Sequence, residues 1–178
     1  GCALEIEDIM HSAGVPGDLF RTILVPSKEM KPIIQHEKIA AVTLTGSTKA
    51  GKIVASQAGE KVKKTVLELG GSDPYIVLKD ANLEKAAATC VTSRLINSGQ
   101  SCIAAKRFII EEAVYDKFVE LFTEKMKGRK MGDPLEDDVH VGPQAREDLR
   151  DELHRQVEDS VELGAELKLG GEVPEGKG

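Results

Sequence analysis

The chain has 178 residues and a formal net charge of −6 at pH 7, with 24 Lys and Arg against 30 Asp and Glu. Aromatic residues make up 3% of the sequence and Trp is absent, so the chain offers neither a basic field nor stacking platforms for nucleic acid. No apolar run approaches the length of a membrane span, and no signal peptide opens the chain. We therefore predict a cytoplasmic protein of one domain, or of parts of two, that binds neither nucleic acid nor a membrane.

Strands and helices alternate along the chain, which predicts an α/β protein. Amphipathic spacing indicates the helices and short apolar runs indicate the strands. In chain order, the predicted elements are a helix over 2–13, a strand over 20–25, a short helix or turn over 31–38, a strand over 40–45, a helix from the following turn through about 58, strands over 63–69 and 75–78, a helix from 83 to about 97, a strand over 107–110, a helix over 114–126, and a helix from Pro143 to about Gly164. The glycine-rich segment 70–74 is a natural boundary, so we predict domains over 1–70 and 71–178.

The cysteines and histidines show no metal-site pattern. Cys2, Cys90 and Cys102 lack a Cys-x-x-Cys spacing, and the four histidines are scattered. Cys90 lies on the apolar stripe of its predicted helix, which indicates a core residue. The acidic stretch 133–138 lacks the alternation and the distal Glu of an EF-hand, so we interpret it as a solvated loop. We predict no metal ion and no disulfide framework.

The segment from Gly46 to Ile53 is a glycine-containing turn between a buried strand and a helix, an arrangement that suits a phosphate group. A nucleoside triphosphate loop is one interpretation, with Asp80 as the metal ligand, but Ile53 stands where that motif needs Ser or Thr for magnesium. A dinucleotide turn is a second, with Thr48 in place of the middle glycine. The third is a plain helix cap at Ser47 or Thr48.

Two further segments carry reactive groups. Glu68 closes an apolar strand pattern directly before two glycines, which allows a carboxylate at the mouth of a crevice. Cys102 follows a Gly-Gln-Ser turn at the end of a helical pattern, on an irregular segment where a thiol can face a cleft.

Together, these two segments resemble the two signature segments of the aldehyde dehydrogenase superfamily. The run Leu-Glu-Leu-Gly-Gly-Ser-Asp-Pro over 67–74 is followed by Asn-Ser-Gly-Gln-Ser-Cys over 97–102, with Glu68 and Cys102 separated by 34 positions. Two motifs at a fixed separation are more specific than either alone. The resemblance implies the end of a Rossmann-type cofactor domain followed by the start of an α/β catalytic domain.

The resemblance also implies roles for individual residues. Cys102 would be the nucleophile, and its backbone N–H would help to hold the oxyanion. Glu68 would be the general base, and the backbone around Leu69 would lie against the nicotinamide of NAD or NADP. The pyrophosphate of the cofactor would lie beside the turn and its helix, which contribute Gly46, Ser47, Thr48 and Gly51.

The substrate implied is a small aldehyde. The segments 69–74 and 148–154 most resemble the bacterial NAD(P)-dependent enzymes that oxidise succinate semialdehyde. Many enzymes acting on that substrate carry an arginine where Ile96 stands, and Arg94, two positions away on the helix, should point elsewhere. A carboxylated substrate would therefore need another cation.

The resemblance covers the whole chain but only a middle part of the family's length. We therefore expect this chain alone to bind cofactor poorly and to oxidise no aldehyde, and we expect a homo-oligomer at full length. Two alternatives stay open: a nucleotide-binding protein built on the Gly46 turn, and a non-catalytic protein or cysteine hydrolase that uses Cys102 without nicotinamide.

Overall fold

The computed structural model describes residues 1–174, in which helices and strands alternate. The predicted α/β class is confirmed. The chain divides into two compact units, Gly1–Gly70 and Gly71–Gly178. Within the described residues, no helix combines the length and the apolar composition needed to cross a membrane.

The first unit contains a β-α-β motif. Its elements are α1 (Cys2–Ser12), a 3₁₀ turn (Ser27–Glu29), α2 (Met30–Gln35), β1 (Ala41–Thr45), α3 (Thr48–Gly59) and β2 (Lys64–Glu68). The two strands are parallel, in a register that runs from Ala41 opposite Lys64 to Thr45 opposite Glu68. Because α3 is the crossover between them, the carboxyl ends of both strands and the start of α3 meet at one edge.

The strand predicted over 20–25 is wrong. This segment has no regular secondary structure and pairs with no strand among the described residues. Its polar groups bond to α1 instead, since the Thr22 amide donates to the Glu7 carboxylate at 2.6 Å and the Thr22 hydroxyl donates to the Ala3 carbonyl at 2.8 Å. A β-branched apolar run indicates an extended backbone, but only a neighbouring chain makes it a strand.

The second unit has its own parallel pair of strands. Its elements are β3 (Pro74–Val77), α4 (Leu83–Leu95), a 3₁₀ turn (Ile96–Gly99), β4 (Arg107–Ile110), a second 3₁₀ turn (Glu112–Val114), α5 (Tyr115–Lys127) and α6 (Glu147–Glu162). The register of the strands runs from Pro74 opposite Arg107 to Val77 opposite Ile110.

The core of the second unit lies between its sheet, α4 and α5. Val77, Ala87, Cys90 and Phe118 are buried there, and Phe118 stacks on Phe122 with ring centroids 5.7 Å apart. The prediction that Cys90 belongs to the core is confirmed. Burial also raises the pKa of the Cys90 thiol, because the apolar surroundings disfavour the charged thiolate.

The helix predicted from Pro143 is also wrong at its start, because α6 begins at Glu147. The residues before α6 bond to the Gln100 side chain. Its amide nitrogen donates to the Pro143 carbonyl at 3.1 Å, and its amide oxygen accepts from the Ala145 N–H at 3.0 Å. Proline favours the first turn of a helix, but here side-chain bonds from a distant segment decide the conformation.

Candidate active site

The carboxyl edge of the first sheet brings the predicted base beside the predicted phosphate turn. Glu68 is the last residue of β2 and lies opposite Thr45, the last residue of β1. The Gly46 amide donates to the Glu68 carbonyl at 2.9 Å, and both residues are exposed. The end of a parallel strand next to a helix N-terminus is where open α/β sheets bind ligands.

Helix α3 begins with an unambiguous cap. Ser47 has an extended backbone and its Oγ accepts from the Ala50 N–H at 3.2 Å, so Ser47 is the N-cap and Thr48 is the first helical residue. A helix leaves its first amides without intrahelical partners. The Ser47 hydroxyl accepts from the Ala50 amide. The amides of Thr48 and Lys49 have no partner among the described residues and can donate to an acceptor outside the helix.

The start of α3 fits a phosphate group sterically and electrostatically. Residues 46–49 are exposed, and a Cβ on Gly46 would meet only the Leu44 side chain, at 3.7 Å or more. A pyrophosphate could therefore approach the backbone of Gly46, Ser47 and Thr48 at the positive end of the helix.

Gly51 serves a different purpose from the other residues of the turn. It is buried, and a Cβ on it would lie 2.6 and 2.9 Å from the two δ carbons of Leu69. A larger residue at this position would therefore require the Leu69 side chain to move. Gly51 contributes to this edge by fixing the position of Leu69, the residue directly after Glu68.

Cys102 lies in the second unit, on the exposed turn between α4 and β4. The chain leaves α4 through three consecutive residues with left-handed backbone, Asn97, Ser98 and Gly99, with φ of 49°, 56° and 76°. The Ala104 N–H then donates to the Ser101 carbonyl at 3.1 Å and closes a turn around Cys102. The thiol thus follows a stretch of backbone, 97–99, whose conformation L-residues rarely adopt.

Distant side chains secure this turn. The Ser98 Oγ accepts from the Gly142 N–H at 2.9 Å, and the Gln100 amide bonds to Pro143 and Ala145 as described above. The Lys106 ammonium donates to the carbonyls of Cys102 and Ala104, each at 3.1 Å. Sequence reasoning missed Ser98 and Gln100 as supporting groups, because their partners lie more than 40 positions later in the chain.

Arg94 is engaged with the same turn. Its Nη1 donates to the Ala105 carbonyl and its Nη2 to the Gly99 carbonyl, both at 2.7 Å. These bonds agree with the expectation that Arg94 points away from a substrate carboxylate, since both terminal nitrogens of its guanidinium donate to backbone carbonyls. Ile96 is 44% exposed.

The structure brings part of the predicted site together in each unit. Glu68, Leu69 and the turn from Gly46 to Gly51 share one edge of the first unit, and Cys102 stands on its own supported turn in the second. Within the described residues, no group of three His, Cys, Asp or Glu side chains has metal-binding geometry. In the acidic loop, Lys130 pairs with Asp138 at 2.9 Å and with Glu136 at 3.3 Å.

These features define an α/β protein with an exposed thiol on a strained turn and an exposed carboxylate at a strand end. The model of the aldehyde dehydrogenase family matches residues 1–178, and the chain belongs to that family. It is 50% identical over 176 residues to a succinate-semialdehyde dehydrogenase [NADP(+)] of Mycobacterium avium, covering 99% of this chain and 37% of the relative. An aldehyde dehydrogenase of Paenarthrobacter nicotinovorans is 49% identical over 177 residues, covering 99% of this chain and 39% of the relative.

Solved structures agree with this assignment. Succinic semialdehyde dehydrogenase from Streptococcus pyogenes, in complex with NADP+, matches with a TM-score of 0.93 at 34% identity, over 97% of this chain and 38% of that one. Lactaldehyde dehydrogenase from Escherichia coli matches with a TM-score of 0.94 at 35% identity, over 99% of this chain and 37% of that one. The chain thus spans less than two fifths of the length of these curated relatives and solved structures.

Proposed function

We propose that the full-length protein containing this chain oxidises a small aldehyde to the carboxylic acid with NAD+ or NADP+. The observation that carries the proposal is Cys102, a free, exposed thiol on the supported turn of a chain that belongs to the aldehyde dehydrogenase family. Residues 1–70 would form the C-terminal part of the NAD(P)-binding domain, and residues 71–178 the N-terminal part of the catalytic domain.

In the first step, Cys102 acts as the nucleophile. Its thiolate adds to the aldehyde carbon, and the carbonyl π electrons move to oxygen, giving a tetrahedral thiohemiacetal. The backbone N–H of Cys102 would donate a hydrogen bond to that oxyanion. Bound nicotinamide supplies the acceptor for the hydride that leaves the tetrahedral carbon, and the substrate remains on Cys102 as a thioester.

In the second step, Glu68 acts as the general base. It takes a proton from water, the hydroxide equivalent adds to the thioester carbon, and collapse of the adduct releases the acid and the Cys102 thiolate. The cofactor would be held by the backbone of Gly46, Ser47 and Thr48 at the start of α3, and by the backbone around Leu69, which Gly51 positions. The family assignment favours this dinucleotide interpretation over a triphosphate loop, as does Ile53, which cannot ligate magnesium.

Succinate semialdehyde is the first substrate to test, because relatives at about half identity carry that name. The same relatives favour NADP+ as the cofactor to test beside NAD+. Ile96 is aliphatic and Arg94 is bonded to the backbone of the turn. Another cation would therefore have to meet the substrate carboxylate.

The test measures NAD+ and NADP+ reduction by the full-length protein with succinate semialdehyde and with a short neutral aldehyde. We expect Cys102→Ala to abolish reduction of either cofactor, whereas Cys2→Ala, which removes another exposed thiol, leaves the rate unchanged. Glu68→Gln should retain a first-turnover burst but slow the steady state by about a hundredfold or more, since only thioester hydrolysis loses its base.

Two results would contradict the proposal. Cofactor reduction that survives Cys102→Ala would remove the thiol from the mechanism. Hydrolysis of activated esters without any cofactor reduction would favour a cysteine hydrolase. A separate expectation concerns the 178-residue chain alone, which should produce neither NADPH nor NADH. If it did produce either, the family segments outside this chain would be dispensable for the reaction.

A further inference from the structure

The turn that carries Cys102 needs external support because of its backbone. Asn97 and Ser98 have left-handed φ values although neither is glycine, and such residues persist only where surrounding contacts fix them. The turn is also exposed at Cys102 itself, so burial of that side chain contributes little to its rigidity. Its geometry therefore depends on hydrogen bonds made from outside the turn.

The Arg94 guanidinium makes two of these bonds, one at each end of the turn. Gly99 stands three residues before Cys102 and Ala105 three residues after it, and their carbonyls accept from Nη2 and Nη1 at 2.7 Å each. The planar fork has fixed spacing between its nitrogens, so it holds the two carbonyls at a fixed separation. A flexible lysine ammonium cannot reproduce that two-point contact.

The surroundings are built closely around this contact. A Cβ on Gly99 would lie 2.8 Å from Nη2 of Arg94, so the glycine is required both by its φ of 76° and by the guanidinium. Ala104 and Ala105 are 2% and 1% exposed, and the Ala105 N–H donates to the Ser93 carbonyl at 3.0 Å. The far end of the turn is thus tied to α4 at two adjacent positions, Ser93 and Arg94.

Arg94 retains its charge in this setting. Partial burial lowers its pKa from the ordinary value through desolvation, but a guanidinium stays protonated in proteins. A charged donor makes a stronger bond to a carbonyl than a neutral donor does. Without it, two backbone carbonyls would lose their partners, one of them on a buried residue.

We propose that Arg94 is a positioning residue for the nucleophile: its guanidinium joins Gly99 and Ala105 and thereby fixes the Cys102 thiol and its backbone N–H relative to the aldehyde. This role rests on the proposed function, in which Cys102 attacks the substrate. A misplacement of reacting atoms by about 1 Å can lower the rate about a hundredfold. Loss of the Arg94 guanidinium should therefore lower kcat rather than weaken substrate binding.

The experiment compares Arg94→Met, Arg94→Lys and the control Lys85→Met in the full-length protein. Lys85 is an exposed cation on the same helix, so its removal controls for charge loss on α4. For Arg94→Met we expect kcat to fall about a hundredfold, with KM for aldehyde and cofactor changed less than about threefold. Here kcat is normalised to the amount of reactive Cys102 thiol, which is determined by alkylating a separate sample of the same preparation. Arg94→Lys should recover part of the loss, and Lys85→Met should match the unmodified protein.

Hydrogen exchange provides a readout independent of aldehyde oxidation. Arg94→Met should accelerate amide exchange in peptides covering 97–106 while peptides from α5 exchange as before. That local change would show that Arg94 fixes the Cys102 turn even if the unmodified protein oxidised no aldehyde, in which case the proposed function would fail and the structural role of Arg94 would stand. Unchanged exchange over 97–106, a kcat within twofold of the unmodified value, or a loss of rate matched by a rise in KM would overturn it.

Discussion

At the scale of single residues, the three cysteines occupy two kinds of environment. Cys2 and Cys102 are exposed, whereas Cys90 is 3% exposed in the core of the second unit, where burial raises its pKa. A thiol reacts as its thiolate and only when a reagent can reach it. The thiol chemistry of the folded protein therefore belongs to Cys2 and Cys102.

Alkylation of the folded 178-residue chain with iodoacetamide tests this difference. Two thiols per chain should react rapidly and Cys90 should react only after denaturation, because access to it requires opening of the core between α4 and α5. Peptide mass analysis of the labelled chain identifies the modified positions. Labelling of Cys90 at the rate of Cys2 in the native protein would mean that this core is open in solution.

At this scale the sequence predicts Glu68 and Cys102 as the reactive groups, and it does not predict the side chains that support them. Glu68 and Cys102 are recognisable because each is flanked by residues that specify its backbone. Arg94 and Gln100 lacked such a signal, because their partners are backbone carbonyls and amides that any sequence supplies. A side chain that bonds to backbone leaves no complementary residue for a sequence pattern to reveal.

At the scale of elements, one carboxylate connects α1 to the irregular segment that follows it. Glu7 is nearly buried and accepts from the Thr22 amide at 2.6 Å and from the Arg21 guanidinium at 2.9 Å. The Thr22 amide, followed by Arg21, lowers the pKa of Glu7 below its ordinary value. A lowered folded-state pKa stabilises the fold above the pKa of the unfolded chain, and that contribution disappears as the pH falls through the folded value.

Hydrogen exchange of the Thr22 amide, measured against pH, tests this contact. Corrected for the intrinsic pH dependence, protection should be constant near neutral pH and should fall below the ordinary glutamate pKa of about 4.3, as Glu7 becomes protonated. Glu7→Gln should remove most of that pH dependence, and Glu5→Gln, an exposed neighbour on α1, should retain it. A pH profile unaffected by Glu7→Gln would assign the protection to another group.

The two wrong predictions at this scale have one physical cause. The apolar run over 20–25 and the proline at 143 both have clear local propensities, for a strand and for a helix start. In each case a side chain from elsewhere bonds to the segment: Glu7 accepts from the Thr22 amide in the first, and Gln100 donates to the Pro143 carbonyl in the second. The helices and strands with strong periodicity and their own caps, such as α3 with Ser47 and α4 with Asn82, were predictable because their decisive contacts are local.

At the scale of the whole molecule, the second sheet has one apolar face that the described residues leave largely exposed. Ile76 and Ile109 are direct partners across β3 and β4, and they are 65% and 52% exposed. The opposite face, which includes Val77, packs on the core. Parallel sheets are normally covered on both faces, so this face has the character of an interior surface.

The 178-residue chain should accordingly bind an apolar dye such as anilinonaphthalene sulfonate through this face. Replacing both Ile76 and Ile109 by Thr removes apolar area while keeping β-branched side chains in the strands, so the dye fluorescence should fall without loss of the fold. Leu135→Thr, at a 91% exposed loop position, is the matched control and should leave the fluorescence unchanged. Equal fluorescence for the double variant and the unmodified chain, with both folded by circular dichroism, would locate the apolar surface elsewhere. A full-length protein that covers this face should bind less dye per chain than the 178-residue segment, since the same isoleucines would then lie against protein.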